Sequence, residues 1–279
     1  MQLTEKLYRV TAPNPGFMTG NGTNSYLLRA KSGDCLIIDP GPVIDSHIQA
    51  LIECAGGSER IKAIALTHMH SDHSPAAMPL AAVTGAKIYS PFSVDDAYQD
   101  KTLVSDYIVE HDQVIQLDDI RLRCIYTPGH VDNHMCFLLE NEQVLMTGDH
   151  IMQGSTVVII PPHGNMKKYL ASLALLKSYA IQILAPGHGE LIHTPEAEID
   201  GIIHHRLKRE EKVLQGLIQC GGANLQRLTE VVYTDVDKSL HLMASFSLLA
   251  HLLKLEEEGR AEQINDEWKI KIEKGLQRN

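Results

Sequence analysis

Four short apolar segments of the sequence run directly into loops that carry histidine or aspartate. The segments are IKAIAL (61–66), RLRCIY (121–126), QVLM (143–146) and IQILA (181–185), and the loops begin THMHSDH, TPGH, TGDH and PGHG. The apolar segments have the length and composition of buried strands. Loops at one edge of a sheet are where binding and catalytic groups usually lie. The sequence therefore predicts a fold in which four strand ends meet at one site.

The side chains in these loops are of the types that bind metal ions. THMHSDH alone places three imidazoles and one carboxylate within six residues, and the whole chain has 15 histidines. One histidine after a strand would be an ordinary loop residue, but four such motifs favour coordination. Seven of the groups, all imidazoles or carboxylates without a thiolate, suit a pair of divalent ions.

Strands and helices alternate up to about residue 195, which predicts a layered α/β architecture. Apolar residues at helical spacing predict helices over 45–55, 75–83 and 166–179, and the pattern turns mostly helical from Pro195 onward. We expect a catalytic domain over residues 1–195. A long linking helix and a small second domain are expected over 196–279.

Composition argues against several classes of function. The formal net charge is −10 and the isoelectric point is about 5.8, so a broad nucleic-acid or anionic-membrane surface is not expected. We find neither a signal-peptide pattern nor an apolar run of membrane-spanning length, and a cytoplasmic protein without a membrane partner is expected. The five cysteines are scattered without a CxxC pair, which favours reduced thiols.

The order HxHxDH, GH, GD and GHG resembles the metallo-β-lactamase superfamily, in its dinuclear hydrolase branch, over about residues 15–195. The resemblance implies a four-layer αββα sandwich with the metals at one edge. It implies that His68, His70 and His130 hold one ion, that Asp72, His73 and His188 hold the second, and that Asp149 bridges them. Zinc is the expected ion, with manganese and iron as alternatives. None of the four motifs contains the cysteine usual in antibiotic-degrading members, so β-lactamase activity is not expected.

Further segments are similar to the β-lactamase-like-protein-2 group: GTNSYL, DPG, TPGHVDNHM, GHGELIH and HHRLKRE. That group joins a glyoxalase-II-like catalytic domain to a small C-terminal winged helix, and some members are metal-dependent ribonucleases. In this chain, helices predicted over 196–219, 225–233 and 239–258 precede two short strands, which is the winged-helix order. Residues 220–279 hold eight Lys or Arg against ten Asp or Glu, so packing or dimerisation is favoured over nucleic-acid binding.

The expected mechanism uses two ions about 3.5–4 Å apart that share a hydroxide, which attacks the substrate. Asp72 is the candidate to accept the proton of the water. Asp39 has two interpretations: it orients a ligand histidine, or it caps the DPGP turn.

Substrate contacts are predicted less directly. His134, His150 and His163 are candidates for substrate contact or ligand support, with solvated loop positions as the favoured alternative. His205 and Arg206 either reach the cleft or lie on the surface of the long helix. Ser155 and Thr156 are expected to line the substrate path.

Three functions follow from these expectations. The first is a metal-dependent hydrolase that acts on a small ester, thioester or lactone. The second is a metal-dependent endoribonuclease or phosphodiesterase that acts on single-stranded RNA. The third is a non-catalytic regulatory protein that binds a partner through the winged helix.

Overall fold

The computed structural model describes residues 1–154 and 156–271 of the chain. Its first sheet has six strands in chain order: β1 (Leu7–Thr11), β2 (Asn24–Arg29), β3 (Cys35–Ile38), β4 (Ile61–Ala65), β5 (Lys87–Ser90) and β6 (Tyr107–Ile108). Strands β1 to β3 pair antiparallel, and β3 to β6 pair parallel. β3 is buried along its whole length, which explains its unbroken apolar sequence.

The second sheet has the order β11-β10-β9-β8-β7. Its strands are β7 (Val114–Leu117), β8 (Ile120–Tyr126), β9 (Met135–Leu139), β10 (Val144–Gly148) and β11 (Ile183–Pro186). β7 to β10 form an antiparallel meander, and β11 joins β10 in parallel after a helical crossover. Parallel strands need such a crossover, which explains why a helix lies between β10 and β11 in the sequence.

The helices cover the outer faces of both sheets, and the expected four-layer αββα sandwich is confirmed. α1 (Asp45–Ala55) and α2 (Ala77–Thr84) pack on the first sheet, where Leu51 and Leu80 are fully buried. α3 (Met166–Leu176) and α4 (Pro195–Cys220) pack on the second sheet. The core between the sheets is built from residues such as Leu36 and Phe137. Each layer buries its apolar face against the next.

The C-terminal helices and hairpin form the expected winged-helix domain. It contains α5 (Leu225–Val232), α6 (His241–Glu257), β12 (Ala261–Ile264) and β13 (Glu267–Ile270). Its core surrounds the buried Trp268 and includes Val213 of α4. Because Ile199 of α4 lies in the core beneath the second sheet, this helix belongs to both cores. The expected boundary at residue 195 falls at the start of α4 and stays a prediction.

None of the helices in the described ranges has the length and apolar character that a membrane span requires.

Candidate metal centre

The strand ends predicted to carry ligands meet at one edge of the sandwich. The loop after β4 supplies four of the seven groups, and the loops after β8, β10 and β11 supply one each. The groups form two clusters. Cluster 1 contains His68, His70, His130 and Asp149, and cluster 2 contains Asp72, His73 and His188. Within each cluster the candidate ligand atoms all lie within 4.8 Å of one another.

Ring nitrogens of cluster 1 converge on one point. Nδ1 of His70 lies 3.0 Å from Nε2 of His68 and 3.1 Å from Nε2 of His130. In cluster 2, Oδ2 of Asp72 lies 3.2 Å from Nε2 of His188. The spacing is that of groups arranged around a shared centre.

Asp149 faces both clusters with different oxygen atoms. Its Oδ1 lies 3.3 Å from Nε2 of His73 and 3.4 Å from Nε2 of His188, whereas its Oδ2 lies 3.8 Å from Nε2 of His130. This geometry places Asp149 where a bridging carboxylate would lie. Glycine is required at position 148, next to Asp149, for two reasons. A Cβ atom there would lie 2.5 Å from Oγ1 of Thr67, and the backbone φ of Gly148 is +47°.

Hydrogen bonds on the far side of the rings fix which nitrogen carries the proton. Oγ1 of Thr67 donates to Oδ2 of Asp39 at 2.6 Å, so it accepts from Nδ1 of His68 at 3.0 Å. Oδ2 of Asp39 also accepts from Nδ1 of His73 at 2.9 Å. Both rings therefore turn an unprotonated Nε2 toward the clusters when they are neutral.

Two further rings are fixed by backbone carbonyl groups. Nδ1 of His130 donates to the carbonyl oxygen of Val158 at 2.7 Å, and Nδ1 of His188 points to that of Gly22 at 3.3 Å. A carbonyl oxygen can only accept, so the Nε2 atoms of these rings are also left as electron-pair donors. The four rings thus direct the lone pairs of their Nε2 atoms toward clusters 1 and 2, which also contain the carboxylates of Asp72 and Asp149.

Burial and neighbouring charges shift the pKa values of histidines in the two clusters in opposite directions. Burial lowers the pKa of His68 well below its usual value and lowers the pKa of His70 to about 4, so both rings are neutral at pH 7. Burial also disfavours the charged form of His73, but Asp72 and Asp149 outweigh it and raise the pKa of His73 well above its usual value. The site therefore strongly favours a positive charge near these carboxylates.

The donor set fits divalent metal ions. Nε2 of His73 and Oδ1 of Asp149 are buried and have no hydrogen-bond partner among the described residues. A buried polar atom without a partner is costly unless something binds it. Imidazole nitrogens and carboxylate oxygens without a thiolate suit zinc, and also iron or manganese.

His134 and His150 are fully buried, so the favoured prediction of solvated loop positions is wrong for both. Nε2 of His134 accepts the backbone N–H of Asp149 at 3.2 Å, and Nδ1 donates to Oγ1 of Thr127 at 2.9 Å. The ring of His150 packs between His134 and Tyr169. No local sequence signal separates such rings from loop histidines, because their burial depends on distant strands. His163 is half-buried and lines the cavity described below.

The other predicted contacts lie elsewhere. Thr156 and His205 are exposed, and neither lines the cavity that opens beside clusters 1 and 2 and is described below. His205 lies instead beside Lys208 and Asp235. Arg206 is 4% exposed, so neither the cleft nor the surface interpretation is right: its Nη2 donates to the carbonyl oxygen of Val157 at 2.5 Å. Ser155 lies outside the described residues.

A cavity of about 600 Å³ opens beside both clusters. Much of its apolar wall comes from three places: Phe17 and Met18 before β2, the 157–162 loop, and Met243 and Phe246 on α6. Sequence reasoning missed these wall residues. The exposure of Phe17, 77%, is the kind of feature that identifies such a wall, but it is visible only in the folded chain.

Two family models and several known proteins match this chain. The family model described as metallo-beta-lactamase superfamily matches residues 18–188, and that described as beta-lactamase associated winged helix domain matches residues 225–268. The chain is 30% identical to the beta-lactamase-like protein 2 homolog of Drosophila melanogaster over 275 residues, which cover 93% of this chain and 90% of that protein. It is 30% identical to an atrochrysone carboxyl ACP thioesterase of Aspergillus chevalieri over 244 residues, which cover 86% and 74%.

A solved structure shares the whole fold. A metallo-beta-lactamase family protein of Thermus thermophilus superposes with a TM-score of 0.80 at 21% identity, covering 96% of this chain and all of that chain. At that identity the likeness shows the fold alone. The matched family models, the relative from Drosophila and the converging motifs lead to one conclusion: the chain belongs to the metallo-beta-lactamase superfamily and carries a beta-lactamase associated winged helix domain.

Proposed function

We propose that the protein is a metal-dependent hydrolase with a dinuclear site, acting on a small ester, thioester or lactone. One observation carries the proposal: four imidazoles, held through Nδ1, direct Nε2 toward two carboxylates at the edge of a cavity. Such an arrangement lowers the stability of the fold unless cations bind it. It lies beside a cavity that is large enough for a small molecule.

Cluster 1 would hold one ion and cluster 2 the other, with Asp149 shared between them. Zinc is the proposed ion, and manganese or iron would suit the same donors. When bound, two such ions supply Lewis acidity that lowers the pKa of water and polarises the oxygen on which charge develops.

The residues of the chain itself have separate roles. Asp39 and the carbonyl group of Val158 orient ligand rings, as their hydrogen bonds indicate. Asp72 is the candidate to hold the proton that the attacking water loses. Its side chain is 26% exposed, against 12% for Asp149, and it lines the cavity, so it is the more accessible of the two carboxylates. Burial raises the pKa of Asp72, but the contact with His73 outweighs this and lowers it, so the carboxylate is available as a base.

Ester or thioester hydrolysis is favoured over phosphodiester cleavage. The relative from Aspergillus chevalieri is named a thioesterase. Among the described residues that line the cavity, none is lysine or arginine. RNA binding relies on cationic contacts with phosphates, so the cavity gives no support to the single-stranded RNA hypothesis. A purely regulatory role would not require seven converging ligand groups.

The test combines metal analysis with hydrolysis assays. Elemental analysis of the purified protein should give about two divalent ions per chain, and the loaded protein should cleave a thioester, an aryl ester or a lactone. His68→Ala and Asp149→Ala should abolish turnover with the fold retained. His193→Ala, an exposed histidine outside the clusters, should behave as wild type.

Two outcomes would contradict the proposal. Reconstituted protein without bound metal would remove the dinuclear site. Metal-loaded protein that cleaves single-stranded RNA but no ester, thioester or lactone would replace the proposed substrate class by phosphodiesters.

A further inference from the structure

The winged-helix domain contributes part of the wall of the cavity beside clusters 1 and 2. Met243 and Phe246 lie three residues apart on α6, so they project from the same face of that helix. Both are half-buried and line the cavity. The same cavity is lined by His70, Asp72 and His130 of the candidate metal centre. A substrate in the cavity would therefore lie between the two domains.

The position of α6 is fixed by contacts with the catalytic domain and with the linking helix α4. Ala250 is 2% exposed and lies in the core under the second sheet. Nζ of Lys167 on α3 lies 3.3 Å from a carboxylate oxygen of Glu257. Nζ of Lys254 lies 2.7 Å from the buried carboxylate of Glu210 on α4. With its C-terminal half held in this way, α6 presents Met243 and Phe246 as a preformed wall.

The wall suits an apolar group. Around the cavity, the residues away from the metal clusters are mostly aliphatic, aromatic or proline, and include Phe17, Met18, Ile160 and Pro161. Among the described lining residues outside clusters 1 and 2, the titratable side chains are those of Asp96, Tyr98 and His163. Burying an apolar group against such a surface is favourable, whereas a phosphate would find no cation there. The volume of about 600 Å³ is within the range of small-molecule sites.

We infer that the acyl group of the substrate is apolar and packs against Met243 and Phe246, so that the winged-helix domain sets the acyl length that the enzyme accepts. The inference rests on the proposed ester or thioester hydrolysis. The reacting carbonyl lies at the metal clusters, and the acyl chain extends from it toward α6. Hydrolysis adds water across the acyl–sulfur or acyl–oxygen bond and releases the carboxylic acid with the thiol or alcohol.

The test is a series of N-acetylcysteamine thioesters with acetyl, butanoyl, hexanoyl, octanoyl and decanoyl groups. We expect KM to fall by up to about fourfold for each added methylene until the cavity is filled. Phe246→Ala should move the optimum to longer chains, and Phe246→Trp should move it to shorter ones. Leu242→Ala is the matched control, because Leu242 lies on α6 but is 70% exposed and does not line the cavity.

Binding gives a readout that does not depend on turnover. Titration calorimetry with decanoate should detect binding to the wild-type protein, a changed affinity in Phe246→Ala, and no change in Leu242→Ala. Thermal unfolding of each variant checks that α6 is retained. If Phe246→Ala unfolds the domain, Met243→Ala and Phe246→Leu carry the same comparison.

The outcomes separate the inference from the proposed function. Turnover that is independent of acyl length, or that responds equally to Phe246→Ala and Leu242→Ala, overturns the inference and leaves ester hydrolysis standing. If no ester or thioester is cleaved, the proposed function fails, and decanoate binding that depends on Phe246 still supports an apolar site. Decanoate that does not bind, or that binds equally to all variants, overturns the inference in either case.

Discussion

Oδ2 of Asp39 accepts a hydrogen bond of 2.9 Å from Nδ1 of His73, and both side chains are buried. The same carboxylate accepts from the backbone N–H and from Oγ1 of Thr67, at 2.7 and 2.6 Å. Thr67 in turn accepts from His68. One residue at the end of β3 therefore orients a ring in each of clusters 1 and 2.

Replacing this carboxylate should weaken metal binding. In Asp39→Asn one oxygen becomes an NH₂ group. At the Oδ2 position this group cannot accept from His73 or from Oγ1 of Thr67, and at the Oδ1 position it opposes the backbone N–H of Thr67, so the support of the rings is weakened in either case. We expect metal affinity to fall by about 10- to 100-fold, the usual effect of changing the partner of a ligand histidine. Competition with a chelator measures this affinity. Asp45→Asn, an exposed carboxylate on α1, is the control, and an equal affinity in both variants would refute the role of Asp39.

His134 should act as a hydrogen-bond acceptor for the Asp149 loop. Burial lowers the pKa of His134 well below its usual value, so the ring is neutral and Nε2 can accept the N–H of Asp149. His134→Leu leaves that N–H without a partner, at a cost of about 1–3 kcal/mol in stability. His134→Gln offers an amide oxygen and should recover part of the loss. Chemical unfolding measures both variants, and equal destabilisation by Leu and Gln would count against the acceptor role.

Arg206 should support the candidate metal centre through the 157–158 segment. Its guanidinium donates to the carbonyl group of Val157, and the next carbonyl group, of Val158, accepts from His130. The carbonyl oxygen of Val157 loses this donor in Arg206→Met, so we expect a loss of about 1–3 kcal/mol in stability and weaker metal binding. Arg206→Lys should restore part of both, because it keeps a cationic donor.

Unfolding curves and chelator competition report these two quantities for the Arg206 variants. Arg227→Met removes an exposed arginine of α5 and serves as the control. Full metal affinity in Arg206→Met would show that the 157–158 segment does not need this anchor.

Glu210 should make the stability of the winged-helix domain depend on pH in the acidic range. Burial alone would raise the pKa of Glu210, but His251 and Lys254 outweigh it and lower the pKa to about 2. An unfolded glutamate has a pKa of about 4.3. The depressed pKa contributes stability, on the order of 3 kcal/mol, that is fully present above about pH 5 and is lost as the pH falls toward 2.

The matched variant is Glu210→Gln, which cannot titrate at this position. It should be less stable than wild type at pH 7, and the difference should shrink as the pH falls from 5 to 3. Fluorescence of Trp268, the one tryptophan of the chain, reports unfolding of the domain from within its core. Glu230→Gln, an exposed carboxylate on α5, controls for general charge effects. A difference that stays constant with pH would contradict the linkage.

Local patterns predicted much of this fold because they follow from the period of each element. The expected helix over 45–55 is α1, with the same bounds, and the apolar segment after residue 60 is β4. The strands β1 and β6 were not predicted. β1 carries Tyr8, Arg9 and Thr11, which give no clean alternation, and it forms by pairing with β2 from Leu7↔Leu28 to Thr11↔Asn24. Such pairing depends on a partner strand rather than on local preference.

The candidate ligand residues could be identified from the sequence because their pattern is local: HxHxDH, GH, GD and GHG each follow an apolar strand, and strand ends meet at sheet edges. Only the tertiary structure decided which rings are oriented by Asp39 and Val158, and that His134 and Arg206 are buried. It also decided that Phe17 and Phe246, 229 positions apart in the sequence, line the same cavity. A sequence pattern specifies the faces of single elements, whereas burial and cavity walls arise when distant elements pack against one another.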